Sequence, residues 1–103
     1  MIKNITILGA GESGFGAAML ARQKGHNVFV SDISEIRKDI KSTFVKNSIK
    51  FEEKDHSFDK IKFSDLIIKS PGIPDTSIII SKIKSFDIPI ISEIEFASSY
   101  SNS

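Results

Sequence analysis

The sequence predicts an α/β domain whose five-stranded parallel sheet is doubly wound in the order 3-2-1-4-5, with helices on both faces. Three observations predict it. Apolar runs of strand length alternate with amphipathic runs of helix length, the pattern of repeated βαβ units. Leu66-Ile67-Ile68 is apolar without alternation, as a strand covered on both faces must be. A glycine-rich turn, Gly9-Ala10-Gly11-Glu12-Ser13-Gly14, joins the first strand run to the first helix run. Right-handed crossovers in this order open a crevice between strands one and four, where the winding reverses.

The first strand is expected at Asn4–Leu8 and the second at Asn27–Ser31. Between them, Ser13–Lys24 stacks Phe15, Ala18, Met19 and Arg22 at three- and four-residue spacing, its alanines allow a close approach to the sheet, and Gly25 supplies a left-handed stop. The second helix, Ile33–Lys46, carries Ile33, Ile36, Ile40 and Phe44 on one stripe, with Asp32 and Glu35 placed as a capping box. Ile49–Glu52, polar at alternate positions, reads as a short edge strand, and Phe58–Ile61 as a brief helical turn. Asp65–Lys69 is the fourth strand and Ile88–Ser92 the fifth. Between these two, Thr76–Phe86 turns Ile79, Ile83 and Phe86 inward, and after them Glu93–Tyr100 offers Ile94, Ala97 and Tyr100. Residues 1–97 make one domain; residues 98–103 read as a frayed end or a linker.

Composition narrows the function. A chain of 103 residues can bury a core without staples, and the absence of cysteine excludes a disulfide framework and thiolate metal sites. No apolar stretch approaches the ~20 residues of a membrane-spanning helix. The net charge is +1 with basic residues scattered, which argues against a nucleic-acid surface. A cytoplasmic monomer with neither nucleic-acid nor membrane partner is the expectation. His26 and His56 have no companion at metal-ligand spacing and read as surface residues, and the mixed charges of Lys50–Lys60 as a solvated edge. Phe51, Phe58 and Phe63 read as packing beneath that edge.

The glycine turn carries the chemistry. In Gly9-x-Gly11-x-x-Gly14, the first glycine permits a tight turn, the second lets a phosphate approach the backbone, and the third lets the helix pack on the strand. Unpaired amides at the helix start then face an anion, aided by the helix dipole. Asp32 stands ~20 residues on, where dinucleotide folds place an acid on a ribose or base. Ser70-Pro71-Gly72 after the fourth strand reads as a type II turn with glycine at the positive dihedral, facing the glycine loop as the second wall of a diphosphate site. Plain alternatives stand beside each feature: tight packing for the glycines, a helix cap for Asp32 and a helix-starting turn for Ser70–Gly72.

The combination of GAGESG at 9–14, VSD at 30–32, SPGIP at 70–74 and ISEIEF at 91–96 resembles the N-terminal domain of the D-glutamate-adding Mur ligases of peptidoglycan synthesis, the MurD family, over essentially the whole chain. The resemblance implies a Rossmann-like fold that binds the UDP part of UDP-N-acetylmuramoyl-L-alanine and no dinucleotide cofactor. It implies that Gly9, Ala10, Gly11, Glu12, Ser13 and Gly14 hold the diphosphate, that Asp32 and Ile33 sit by the uracil, and that Ser70, Pro71 and Gly72 line the pyrophosphate and sugar side. Glu93 and Glu95 fall near the junction with the next domain, or serve as an acidic first turn. ATP and Mg²⁺ are implied for the full-length enzyme, whose central and C-terminal domains would be the partners of this one. No GxxGK[ST] phosphate loop occurs in these residues, so no catalytic residue or cofactor is assigned to them and no ligase activity is expected from them alone.

Glu12 repels an anion held by its own loop unless it points outward or meets a sugar or uracil donor. With no Lys or Arg in the loop, binding rests on amides and Ser13, and weak affinity is expected. Two other readings use the same fingerprint: an NAD-binding dehydrogenase domain, and a nucleotide-sensing regulatory module of a channel or transporter.

Overall fold

The computed structural model describes residues 1–101. Strands β1 (Asn4–Leu8), β2 (Asn27–Ser31), β3 (Lys50–Glu52), β4 (Leu66–Lys69) and β5 (Ile90–Ser92) alternate with helices α1 (Glu12–Gln23), α2 (Lys38–Lys46), α3 (Phe58–Ile61), α4 (Ile78–Lys84) and α5 (Glu93–Ser101). The strands pair in parallel as β3-β2-β1-β4-β5, the predicted order.

Strand alternation divides the interior into two cores. Ile5, Ile7, Val28, Val30 and Ile68 face one way, onto Ala17, Ala18 and Ala21 of α1, Ile40 and Phe44 of α2, and Phe96 of α5. Leu8 and Ile67 face the other way, onto Ile61 of α3 and Ile80 and Ile83 of α4. Because side chains alternate with period two along a strand, a sheet covered on both sides needs both sets apolar, which is why Leu66-Ile67-Ile68 of β4 reads as an unbroken apolar run.

Several helices begin or face differently from the prediction. The stripe α1 buries is Gly14, Ala17, Ala18 and Ala21; of the predicted Phe15, Ala18, Met19 and Arg22, Ala18 is fully buried, while Phe15 and Met19 pack against its flank, because the small side chains let the helix settle on the sheet. Helix α2 starts at Lys38 rather than Ile33, and the Asp32–Glu35 capping box does not form. The Ser34 amide donates to Asp32 Oδ1 at 2.8 Å and the Ile36 amide to Glu53 Oε1 at 2.9 Å. Those bonds hold residues 33–37 in an Asx-type turn outside the helix, with Ile36 buried and Ile33 62% exposed. Two hydrogen-bonded turns, Ile73 N to Ser70 O and Ser77 N to Pro74 O, delay α4 until Ser77 caps it by accepting from Ile80 N at 3.4 Å. A reciprocal capping box opens α5: Glu95 N donates to Ser92 Oγ at 3.0 Å and Ser92 N to Glu95 Oε1 at 3.1 Å. That register sends Glu93 and Phe96 inward and leaves Ile94 78% exposed, the reverse of the predicted face; Ala97 is exposed as well.

Helix α5 runs back across the first core toward the amino edge of the sheet. It remains helical through Ser101, beyond residue 98 where the fraying was expected; Asn102 and Ser103 lie outside the described residues.

Candidate functional site

The predicted crevice lies at the carboxyl edge of the sheet. Leu8 pairs with Ser31 on one side and with Lys69 on the other, so the chain leaves β1, β2 and β4 at one level. Gly9 N donates to Ser31 O at 2.8 Å and Ser70 N to Leu8 O at 3.1 Å, so the glycine loop and the Ser70 turn are bonded to neighbouring strand ends. A Cβ on Gly9, whose φ is +97°, would come within 2.9 Å of Ser70 Cβ. At Gly14 a Cβ would sit 1.9 Å from Gly9 O, the close helix-to-strand contact for which the third glycine is needed. Gly11 has nothing within 4 Å of its Cβ position, so its backbone is open to the crevice.

Gly11 is the N-cap of α1 with no side-chain cap, and Phe15 N, bonded to Gly11 O at 2.8 Å, is the first amide that the helix satisfies. The amides of Glu12, Ser13 and Gly14 therefore remain for an acceptor at the positive end of the helix. Glu12 and Ser13 are exposed, so Glu12 directs its charge to solvent. Asp32 serves the loop from the side: its Oδ2 accepts from Ala10 N at 2.8 Å. Across the crevice, Ser70 is partly exposed and Pro71 and Gly72 are exposed. This turn is not type II, because the positive-φ glycines are Gly9 and Gly25 and do not include Gly72. It is stiffened from below by Lys69, whose Nζ donates to Ile73 O at 2.6 Å and lies 3.4 Å from Asp75 Oδ1. The cation nearest this turn is thereby committed to holding its shape. Ile33 stands exposed beyond Asp32.

Two residues at this edge carry more than the sequence suggested. Glu93 is 8% exposed, its Oε1 lies 3.7 Å from the Cβ position of Gly14, and that oxygen has no hydrogen-bond partner among the described residues. Its acidic neighbour Glu95 in SEIEF hides it in a pattern that reads as an ordinary helix start. His56, expected on the surface, is partly buried with Nδ1 2.7 Å from Ser31 Oγ. His26, also expected there, is 8% exposed at the opposite edge; Lys3 N donates to its Nδ1 at 3.1 Å, which leaves the hydrogen on Nε2 to bond Tyr100 Oη at 3.0 Å. A groove of about 1020 Å³ also opens away from the crevice, beside Asn4, Asn27, Lys50 and Phe63.

Both imidazoles make stability depend on pH. Burial, with the N-terminal ammonium and Lys3, holds His26 below its ordinary 6.5. Burial lowers His56 as well, against the opposite pull of Asp32, Glu52 and Asp55. The fold therefore keeps both rings neutral where the unfolded chain protonates them. Stability is present above about pH 6.5 and is lost as pH falls from there through the folded-state values. The urea midpoint is expected to be lower at about pH 5.5 than at about pH 7.5, and equal midpoints would contradict this account of the two rings.

A family model of the MurD N-terminal domain matches residues 4–78. The chain belongs to that family. It is 48% identical over 101 residues to the UDP-N-acetylmuramoylalanine–D-glutamate ligase of Bacteroides thetaiotaomicron, covering 98% of this chain and 23% of that protein. The chain thus spans about a quarter of the length of this curated relative. Among solved structures, a pseudomurein peptide ligase type C from Methanothermus fervidus superposes with a TM-score of 0.84 at 27% identity, over 95% of this chain and 20% of that one. The murein peptide ligase of Psychrobacter arcticus gives a TM-score of 0.85 at 23% identity over 95% of this chain and 20% of that one, a likeness of fold. No helix among the described residues is long and apolar enough to cross a membrane.

Proposed function

We propose that this chain binds the UDP moiety of UDP-N-acetylmuramoyl-L-alanine, as the substrate-binding domain of a cytoplasmic, monomeric ligase that adds D-glutamate during peptidoglycan synthesis. The observation that carries the reading is the contact between Gly9 and Ser70, which sets the open amides of α1 and the Ser70–Gly72 turn on either side of one crevice. In this reading Glu12, Ser13 and Gly14 give their amides to the diphosphate, Gly11 lets it approach, and Gly9 and Ala10 shape the turn. Asp32 and Ile33 border the uracil, and Ser70, Pro71 and Gly72 line the sugar side. Asp32 acts by holding Ala10 N, which keeps the loop in its anion-accepting shape.

ATP and Mg²⁺ chemistry belongs, in this proposal, to the parts of a full-length enzyme outside these residues, joined through the segment after residue 97. Among the described residues no three His, Cys, Asp or Glu side chains cluster to hold a metal, and no step of phosphoryl transfer is assigned to them. Incubation of the chain with ATP, Mg²⁺, D-glutamate and UDP-N-acetylmuramoyl-L-alanine is expected to release no phosphate above background.

Thermal shift with UDP, UDP-N-acetylmuramoyl-L-alanine, NAD⁺ and ATP in parallel tests the binding. A ligand at a hundredfold excess over its Kd stabilises by about 2.7 kcal/mol, which moves the midpoint of a domain this size by ~10 °C or more. The uridine ligands are expected to raise it. A rise with NAD⁺ alone would transfer the chain to the dehydrogenase reading.

A further inference from the structure

The corner beside Asp32 contains a hydrogen-bond arrangement whose protons can be counted. Ser31 is fully buried, and its Oγ lies 2.8 Å from Glu52 Oε2, 3.2 Å from Asp55 O and 2.7 Å from His56 Nδ1. A hydroxyl has one hydrogen to give. Burial pushes the Glu52 carboxyl up, but bonds from Ser57 and Ser31 and the charge of Lys60 outweigh it and keep Glu52 ionised, able only to accept. The Ser31 hydrogen is therefore spent on Glu52 and the Asp55 carbonyl. The short contact to His56 then requires a hydrogen on His56 Nδ1, and in the neutral ring Nε2 is left as a bare acceptor. No protein group among the described residues bonds it.

The same loop grips the main chain of Asp32: Asp32 N donates to Glu52 O at 3.1 Å, and Asp55 N to Asp32 O at 3.3 Å. His56 is thus held next to the residue expected at the nucleoside. Asp32 itself is occupied, with Oδ2 on Ala10 N and Oδ1 on Ser34 N. Within this corner, His56 Nε2 is an acceptor that no protein donor among the described residues reaches.

We infer that His56 Nε2 accepts a hydrogen bond from the nucleoside of the bound nucleotide, either the ring N–H of a pyrimidine or a ribose hydroxyl. The inference rests on the uridine diphosphate reading above. It makes His56 a nucleoside-contacting residue, with Ser31 and Glu52 as the groups that set its tautomer. Asp32, Glu52 and Asp55 are the charged groups facing the ring, and all three are acids, so protonation would turn the acceptor into a donor without removing the ring from the corner.

Nitrogen-15 spectra of the 103-residue chain test this directly. The free chain is expected to show His56 with hydrogen on Nδ1, and UDP to move the Nε2 resonance while inorganic pyrophosphate moves only the amides of residues 11–14. N3-methyluridine 5′-diphosphate and ribose 5-phosphate separate the two donors: loss of the Nε2 response on methylation assigns the ring N–H, and a response to ribose 5-phosphate assigns a hydroxyl. A His56→Asn variant, which keeps a donor near Nδ1 and lacks Nε2, is expected to weaken UDP roughly tenfold more than it weakens pyrophosphate. Hydrogen found on Nε2 in the free chain overturns the inference. So does UDP shifting the loop amides with Nε2 unmoved, an outcome that leaves the diphosphate reading intact. UDP shifting neither overturns both.

Discussion

Gly14→Ala is expected to destabilise the domain by about 3 kcal/mol or more and to abolish the response to UDP. The added methyl would lie 1.9 Å from Gly9 O and 2.8 Å from Gly9 C, both backbone atoms at the exit of β1. Overpacking usually costs ~1–3 kcal/mol because side chains can shift, whereas here α1 and the strand end would have to separate. Separation would also withdraw the first-turn amides from the crevice. Gly16→Ala supplies the contrast: nothing lies within 4 Å of its Cβ position and it sits inside α1, so alanine there is expected to stabilise by up to ~1 kcal/mol. Gly11→Ala, also unobstructed, is expected to keep the fold and lose affinity. Urea midpoints and UDP titrations of the three variants decide the matter. A Gly14→Ala protein as stable as Gly16→Ala would remove the packing reason given for the third glycine.

Phe44→Ala is expected to cost ~3–5 kcal/mol, a large share of the ~5–15 kcal/mol that holds a domain together. Phe44 is fully buried on α2, and its ring centroid lies 5.8 Å from that of Phe15 on α1 and 5.9 Å from that of Phe51 on β3. Removing it empties the junction of two helices and an edge strand, and β3 has just three residues to keep it paired. Denaturant unfolding measures the loss. Phe63→Ala, at a side chain 71% exposed, is expected to change stability by less than about 0.5 kcal/mol. Comparable losses at the two positions would mean that the aromatic trio is not what anchors α2.

The strands were legible because burial on both faces leaves successive apolar residues in the middle of β2 and β4, Val28-Phe29-Val30 and Leu66-Ile67-Ile68. The edges of the helices were less so. Their starting points are decided by side chains that reach amides from elsewhere, such as Glu53 on Ile36 N, or by bonds within turns, such as Ile73 N to Ser70 O. Periodicity carries no trace of either. The inward faces of α1 and α5 differ from those that the three- and four-residue spacing of apolar side chains predicts. At α1 the closeness of the sheet selects alanine, and at α5 the Ser92–Glu95 box rotates Phe96 inward in place of Ile94. Ser92-Glu93-Ile94-Glu95 carried that box in its spacing, so this signal was available. At the candidate site, the placement of Gly9–Gly14, Asp32 and Ser70–Gly72 at one sheet edge was readable from topology. The part played by His56 was not, since it depends on Ser31 and Glu52 meeting across adjacent strands.

The two jaws of the crevice are rooted in different cores. Helix α1 and its amides rest on the alanine-rich side of the sheet, while the Ser70 turn leads through Ile73 into the cluster of Ile67, Ile80 and Ile83 on the reverse side. Damage to the interior should therefore be asymmetric: a cavity at Ile80 or Ile83 slackens the Ser70 jaw and spares the glycine-loop jaw, and a cavity at Phe44 does the opposite. A molecule spanning both jaws becomes a cross-brace through the sheet, tying together two halves that otherwise meet at the strands between them and at the approach of Gly9 to Ser70.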